Sequence, residues 1–187
     1  VTGSMDGTAR IWDASTGEPL HVLKWHVLQG HSMDVLQGHA LGVSSASISP
    51  DGGRIVTASW DKTARIWDAS TGEQLQVLEG HAIGVNSASF SPNGGRIVTA
   101  SGDRTARIWD ASTGEQLHVL EGHAGEVLSA SFSPDGSRIV TASMDNTARI
   151  WGASTGEQLQ VLEGHAGGVL SASFSPDGGR IVTGRLD

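Results

Sequence analysis

Apolar and polar positions alternate along short segments of this chain, and each segment ends at a turn signal. In the best-defined stretch the segments cover residues 43–49, 54–59, 63–68 and 74–78. They are rich in Val, Ile, Ala and Ser. The turns that separate them read Ser-Pro-Asp-Gly, Trp-Asp-Lys and Ser-Thr-Gly. Alternation with β-branched residues predicts strands, and Gly, Pro, Asp and Ser predict the connecting turns. No segment has a helical period, so the pattern predicts an all-β chain.

This four-segment unit recurs at a fixed interval of 42 residues. The dipeptide Gly-His ends at His39, His81, His123 and His165, and Trp67, Trp109 and Trp151 keep the same spacing. The units that begin at His39 and His81 differ at only seven of 42 positions. Self-similarity of this kind is typical of repeat architectures, in which each unit packs against the next.

The repeated dipeptides carry a family resemblance over essentially the whole chain. Gly38-His39 is followed by Trp67-Asp68, and the next two units have Gly-His and Trp at the same spacing. An Asp stands six residues before each Trp. This pattern resembles the WD-repeat (WD40) family. The resemblance implies a β-propeller of four-stranded antiparallel WD40 blades, with four blades' worth in this chain. Gly152 stands where the other units have Asp, so a local loosening is expected at that strand end.

The repeat predicts one WD40 β-propeller domain over residues 1–187. Its blades would span about residues 43–79, 85–121 and 127–163, and a split blade would combine residues 1–23 with residues 169–184. Residues 27–39 are surplus to the repeat and look like a short duplication of a fourth-strand end. They predict a longer loop between two blades, which a fold of this kind tolerates at little cost.

The split blade leaves two ways to close a ring. One chain could close on itself with four blades, or two chains could complete each other's split blade in an eight-bladed homodimer. WD-type blades resemble wedges suited to rings of about six to eight, which favours the homodimer, and closure removes exposed sheet edges. Val1 opens the chain in the middle of a repeat, so a segment of a longer polypeptide is a further possibility.

Charge and composition narrow the class of partner. The net charge is −8 and Lys and Arg are not clustered, which argues against nucleic acid. No apolar run approaches the roughly 20 residues of a membrane helix, so no membrane partner is expected. The chain contains no cysteine, which fits a reducing compartment and predicts a cytoplasmic location. A protein or peptide partner is therefore predicted.

Every unit contains His, Ser, Thr and Asp, the residue types of a hydrolase triad, but repetition favours a structural role. A catalytic site needs one such constellation, whereas an architectural device recurs in every blade. The WD40 resemblance implies hydrogen-bonded sets that satisfy a buried imidazole and indole. The sets are His39, Ser59 or Thr57, Asp61 and Trp67; His81, Ser101 or Thr99, Asp103 and Trp109; and His123, Ser143 or Thr141, Asp145 and Trp151. Histidines one blade apart would not converge on one ion at roughly 2 Å. No catalytic, metal or cofactor site is predicted.

The units differ mainly just after Gly-His and around the turn Asp. In a propeller, the connections between blades and the turns between second and third strands emerge on one face, here called the junction face. The opposite turns, Ala-Ser-Thr-Gly-Glu and Ser-Pro-Asp-Gly, hardly vary. Variation on one face of a constant scaffold predicts partner binding there. The predicted partner-binding residues are Met5, Leu41, Ser44, Trp60, Lys62, Ile83, Asn86, Arg104, Glu126, Leu128, Met144, Asn146 and Leu170. The alternative is a structural repeat module without a specific ligand.

Overall fold

A computed structural model describes residues 1–4, 9–23 and 38–185, and every regular element in these ranges is a β-strand. The prediction of an all-β chain is thereby confirmed for this part of the protein. Met5 and residues 27–37 of the predicted insertion lie outside the described residues. Within the described ranges, no helix has the length and apolarity needed to cross a membrane.

The strands form five antiparallel sheets that follow one another along the chain. The N-terminal sheet has β1 (Thr2–Gly3), β2 (Ala9–Trp12) and β3 (Pro19–Leu23). The first full sheet has β4 (Val43–Ile48), β5 (Arg54–Ser59), β6 (Ala64–Asp68) and β7 (Gln74–Leu78). The second has β8 (Val85–Phe90), β9 (Arg96–Ser101), β10 (Ala106–Asp110) and β11 (Gln116–Leu120). The third has β12 (Val127–Phe132), β13 (Arg138–Ser143), β14 (Ala148–Gly152) and β15 (Gln158–Leu162). The C-terminal sheet has β16 (Val169–Phe174) and β17 (Ile181–Arg185).

Side-chain hydrogen bonds close the turn between the first and second strands of each full sheet. In the first full sheet, the Ser49 hydroxyl donates to Asp51 Oδ1, which also accepts from the Gly53 amide at 3.0 Å. The Arg54 amide donates to Ser49 Oγ at 2.8 Å. Gly52 has a φ of 74°, a left-handed conformation in which a side chain would be strained. Sequence chemistry alone therefore suffices to form this turn.

The turn between the third and fourth strands depends on an aspartate in two of the three full sheets. Asp68 Oδ1 accepts hydrogen bonds from the amides of Ser70 and Thr71, both at 2.8 Å. Gly152 occupies the matching position and has no carboxylate to accept them. Its sheet nevertheless keeps the same pairing, with Trp151 opposite Gln158 after the same register shift. The backbone ladder is thus sufficient to retain the strand arrangement.

The hydrophobic core lies between successive sheets. One cluster joins Val56, Ile66 and Leu78 of the first full sheet to Ile97 and Trp109 of the second, and all five are buried. The equivalent cluster joins the second and third full sheets. Each sheet therefore buries its apolar faces against its neighbours, so no unit forms a complete core by itself.

Arginines at the start of the second strands fasten neighbouring sheets together. The Arg54 guanidinium donates to the carbonyl oxygens of Ala111 at 3.0 Å and Gly94 at 2.8 Å, both in the next sheet. It also lies over the Phe90 ring, 5.5 Å from the centroid. Arg138 repeats the bond by donating to the Gly178 carbonyl at 2.9 Å. These charge-assisted bonds set the spacing of the sheets on the side opposite the junction face.

Candidate interaction surface

A buried chain of hydrogen bonds links the Gly-His dipeptide to the body of each full sheet. In the second full sheet, Trp109 Nε1 donates to Thr99 Oγ1 at 2.9 Å. His81 Nε2 lies 2.7 Å from the same oxygen, and His81 Nδ1 lies 2.8 Å from Asp103 Oδ2. One arrangement of protons satisfies every group: Nδ1–H donates to the carboxylate, and the threonine hydroxyl donates to Nε2. The imidazole is then neutral, with its tautomer set by its partners.

The same set occurs in all three full sheets. His39 contacts Asp61 at 2.9 Å and Thr57 at 2.7 Å, and the Trp67 indole donates to Thr57 Oγ1 at 2.8 Å. The third set has equivalent distances and comprises His123, Asp145, Thr141 and Trp151. Because every polar atom already has a partner, the sets present no free nucleophile or base at the surface.

The structure distinguishes the two hydroxyls that the sequence offered for each set. Threonine, and not serine, connects His to Trp. Ser59 and its equivalents Ser101 and Ser143 instead support the turn: Ser101 Oγ accepts from the Asp103 amide at 3.1 Å and donates to the Ile83 carbonyl at 3.0 Å. The assignment of these serines to the His–Trp contact is corrected accordingly. They position the aspartate and the blade connection.

Burial and hydrogen bonding shift the acidities within the sets. Burial would raise the pKa of Asp103, but hydrogen bonds from Thr105 and His81 outweigh it and lower the pKa to about 2. The pKa values of Asp61 and Asp145 are held well below the usual range by the same balance. Burial lowers the pKa of His81 and of His123, and the neighbouring carboxylates only partly oppose it. In the sets of His81 and His123, a neutral imidazole beside an ionised carboxylate is therefore the folded form.

We expect the thermal midpoint to fall between pH 7.5 and pH 5.5. The pKa values of His81 and His123 are lower in the folded chain than the ordinary value of 6.5, so the unfolded chain binds more protons as the pH falls. The paired aspartates do not contribute in this window, because they stay ionised far below pH 5.5. Calorimetry at both pH values measures the effect, and His81→Asn should reduce it. A midpoint that rises on acidification would contradict this prediction.

Backbone hydrogen bonds close the turn between the second and third strands, which ends in a left-handed backbone conformation. The Lys62 amide donates to the Ser59 carbonyl at 3.3 Å, and the Ser59 amide donates to the Thr63 carbonyl at 3.1 Å. Lys62, Arg104 and Asn146 occupy equivalent positions with φ near 70° (74°, 70° and 70°). Asn adopts this left-handed region readily, whereas Lys and Arg are strained there by about 1 kcal/mol. The turns thus define the backbone positions from which these polar side chains project.

Large apolar side chains are exposed on the junction face. The exposed fractions are 52% for Leu41, 46% for Trp60, 53% for Ile83, 46% for Met144 and 37% for Leu170. Large apolar side chains are exposed elsewhere too, at the invariant fourth-strand leucines Leu20, Leu75, Leu117 and Leu159. The junction-face set differs because it includes an aromatic and a Met side chain and varies between units, as interaction sites do.

Three of the predicted binding residues have other surroundings. Ser44 Oγ donates to the Val85 carbonyl at 2.6 Å, and Asn86 Nδ2 donates to the Val127 carbonyl at 2.9 Å. Both bonds join first strands of successive sheets. Leu128, at the same position of the next unit, is half-buried. At Ser44 and Asn86 this position therefore bonds to the next sheet, whereas Leu170, at the same position of β16, is exposed.

Side-chain sizes on the junction face are matched between neighbours. Trp60 covers Gly84 of the next connection, where an added Cβ would lie 3.0 Å from Trp60 Cα and 3.2 Å from Cδ1. Met144 likewise covers Gly168, where an added Cβ would lie 2.8 Å from the Met144 sulfur. The turn of the second full sheet has the reverse arrangement: the small residue Gly102 is covered by its neighbours. The variable positions are therefore coupled in space, which spacing along one chain does not reveal.

A second surface, which was not predicted from the sequence, is a groove at the other end of the first strands. Ile48, Phe90, Phe132 and Phe174 line it together with the prolines and serines of the adjoining turns, and its volume is about 480 Å³. Ile48 is 50% exposed there. The apolar residue that precedes every Ser-Pro is the sequence signal for this groove, but strand alternation explains the same residue without a groove. No cluster of His, Asp and Glu suited to a metal ion occurs in the described ranges.

The sequence matches the WD40 family, described as WD domain, G-beta repeat, over residues 1–13, 17–68, 72–110, 114–152 and 156–187. Among curated relatives, a periodic tryptophan protein 2 homolog of Neurospora crassa is 39% identical over 64 residues, 34% of this chain and 7% of the relative. A ribosome biogenesis protein WDR12 homolog of Drosophila sechellia is 38% identical over 71 residues, 37% of this chain and 14% of the relative. This chain thus aligns with a small part of each of these longer proteins. The repeated motifs, the four-stranded sheets and the family match agree, and the chain belongs to the WD40 repeat family.

Proposed function

We propose that this chain is a non-catalytic scaffold that binds a protein or peptide on its junction face. The observation that carries this proposal is the exposure of Leu41, Trp60, Ile83 and Met144 on that face. These positions differ between units that are otherwise nearly identical. The fourth-strand leucines Leu75 and Leu159 are exposed to a similar extent but do not vary between units. Exposure together with variation, and not exposure alone, therefore favours the junction face as the binding surface.

The turns that carry these side chains are ordered before any partner arrives. The Trp60 amide donates to the Gly42 carbonyl at 3.1 Å, and the Met144 amide donates to the Glu126 carbonyl at 2.9 Å. Each bond ties a turn to the connection that enters the same sheet. A preorganised surface loses little conformational entropy on binding, which favours specific recognition.

The relatives and the charge support a protein partner. Several relatives are named as ribosome biogenesis proteins, which is compatible with a role in macromolecular assembly for this chain too. The net charge of −8 favours protein over nucleic acid as the direct partner. The internal satisfaction of the His–Asp–Thr–Trp sets supports a scaffold without enzymatic activity. A cytoplasmic location stays a prediction.

We expect Trp60→Ala to weaken partner binding by about 2 kcal/mol or more, since a central aromatic often dominates an interface. The immobilised chain would capture partners from native lysate, and quantitative mass spectrometry would compare wild type with the variant. Glu73→Ala is the matched control, because Glu73 is exposed in an invariant turn on the opposite side. Both variants should melt like the wild type.

Two outcomes of the capture experiment would contradict the proposal. Ile48→Ser changes the apolar groove, and if it abolished capture while Trp60→Ala had no effect, the groove would be the binding surface. Equal recovery by wild type and all three variants would instead favour the alternative, a structural repeat module without a specific ligand.

We further propose that two copies of the chain associate through the incomplete sheets β1–β3 and β16–β17. Trp12 is 38% exposed, whereas the equivalent Trp109 is 1% exposed. Val182 is 67% exposed, whereas the equivalent Val56 is completely buried. If β17 of one copy paired with β2 of the other, each Trp12 would pack on the third full sheet of the opposite copy and each Val182 on the first full sheet of the opposite copy, in the manner of Trp109 and Val56. Because β1 already pairs with β2 over Thr2 and Gly3, it would have to give way to β17.

Size-exclusion chromatography with light scattering should then give twice the mass of one chain. Trp12→Ala should shift the equilibrium toward single chains because it removes apolar surface from the join, whereas Trp60→Ala should leave the mass unchanged. A single-chain mass at every concentration tested would rule out the homodimer, but would leave the partner-binding proposal intact.

A further inference from the structure

Two side chains from successive connections of the junction face lie close to Gly102. An added Cβ at Gly102 would lie 3.0 Å from Ile83 Cγ2 and 3.7 Å from Glu126 Cδ. The equivalent turn positions hold Trp60 and Met144, whose own side chains cover the next connection. In this turn alone among the three full sheets, an aliphatic group and a carboxylate therefore lie side by side.

Both members of this Ile83–Glu126 pair are available to a partner. Ile83 is 53% exposed and Glu126 is exposed. In the described ranges, the Glu126 carboxylate takes part in no hydrogen bond or ion pair. Asp61, Asp103 and Asp145, in contrast, are each engaged by a histidine. Glu126 can therefore accept hydrogen bonds from a partner without breaking an internal contact.

The surroundings of the pair are acidic. The connections of the junction face also carry Glu79, Glu121 and Glu163, all exposed. With Glu126 and the three turn aspartates, they make seven carboxylates in the described connections and turns. Five cations oppose them: the exposed Lys62 and Arg104, and the half-buried arginines Arg65, Arg107 and Arg149. The whole chain carries a net charge of −8. The long-range field therefore attracts a basic partner.

We infer that the Ile83–Glu126 pair is the subsite for a lysine or arginine side chain of an extended partner peptide. The inference rests on the proposed function and specifies the chemistry of the partner. The aliphatic stem of such a side chain packs on Ile83 while its cationic head bonds to the Glu126 carboxylate. Trp60 and Met144, in the turns on either side, receive apolar residues that flank the basic one.

A random peptide library displayed on phage tests the inference directly. Wild-type chain should select peptides in which Lys or Arg stands among apolar residues. The best selected peptide should bind Glu126→Gln about tenfold or more weakly in fluorescence polarisation, because a charge-assisted bond is lost. Glu121→Gln removes an equal charge from the same face without an Ile neighbour, and should change the affinity by less than about twofold. Unchanged melting of both variants shows that only binding was altered.

The outcomes separate this inference from the proposed function. If Glu126→Gln and Glu121→Gln weakened peptide binding equally, only a nonspecific electrostatic attraction would remain, and the proposed subsite would be overturned. Selection of acidic peptides would also overturn it and would point to Lys62 and Arg104. In either case, loss of binding in Trp60→Ala would preserve the junction face as the binding surface. Failure to select any peptide would count against both.

Discussion

Trp109→Ala is expected to lower the free energy of unfolding by about 3–5 kcal/mol. Trp109 is 1% exposed and packs with Val56, Ile66 and Leu78 of the preceding sheet, so its loss opens a cavity between two sheets. The variant also leaves Thr99 without the indole donor that lies 2.9 Å away. Urea denaturation followed by circular dichroism measures the change.

Trp60→Ala is the matched control for this experiment, because it removes the same side chain from an exposed turn. Trp60 is 46% exposed, so its removal should cost less than about 1 kcal/mol of unfolding free energy. Trp109→Phe keeps most of the buried apolar area and should fall between the two. If Trp109→Ala were as stable as Trp60→Ala, the core between the sheets would not depend on this residue.

Thr99→Val is expected to lower the free energy of unfolding by about 2–4 kcal/mol, although it preserves the shape of the side chain. It leaves two buried polar groups without partners: the Trp109 indole N–H and His81 Nε2, which lie 2.9 Å and 2.7 Å from Thr99 Oγ1. Each unsatisfied group retains its desolvation cost in the folded state. Thermal and urea denaturation together give the magnitude.

Thr99→Ser separates the hydroxyl from the methyl group. It keeps the oxygen between Trp109 and His81 and removes one buried methyl, which costs about 1 kcal/mol. A Thr99→Ser variant as unstable as Thr99→Val would mean that packing, and not the hydrogen-bonded set, makes Thr99 important.

Local sequence was sufficient to predict the strands and their turns. The predicted segments 43–49 and 54–59 correspond to Val43–Ile48 and Arg54–Ser59 in the structure. Alternation, β-branched residues and the Ser-Pro-Asp-Gly turn all act over a few neighbouring residues, so their information is present in a single unit. Repetition at 42 residues then indicated that the same sheet is built several times.

Sequence was not sufficient to choose the hydroxyl in each hydrogen-bonded set. Thr57 and Ser59 are two residues apart on one strand, so both side chains project from the same side of the sheet. The strand register decides between them: it places Ile55 opposite Trp67 and Thr57 opposite Arg65, which leaves Thr57 Oγ1 2.8 Å from the indole nitrogen. Only the pairing of β5 with β6 contains that information.

By itself, therefore, the sequence determined the strand content, the family, the repeated polar sets and the face on which the units differ. The tertiary structure decided which of the variable side chains stay exposed and which are used in contacts between sheets. Asn86 bonds to the Val127 carbonyl of the next sheet, whereas Trp60 covers Gly84 and stays half exposed. These contacts join residues far apart in the chain that meet only after the sheets pack. Packing between sheets, and not any local propensity, thus selects the surface that a partner can reach.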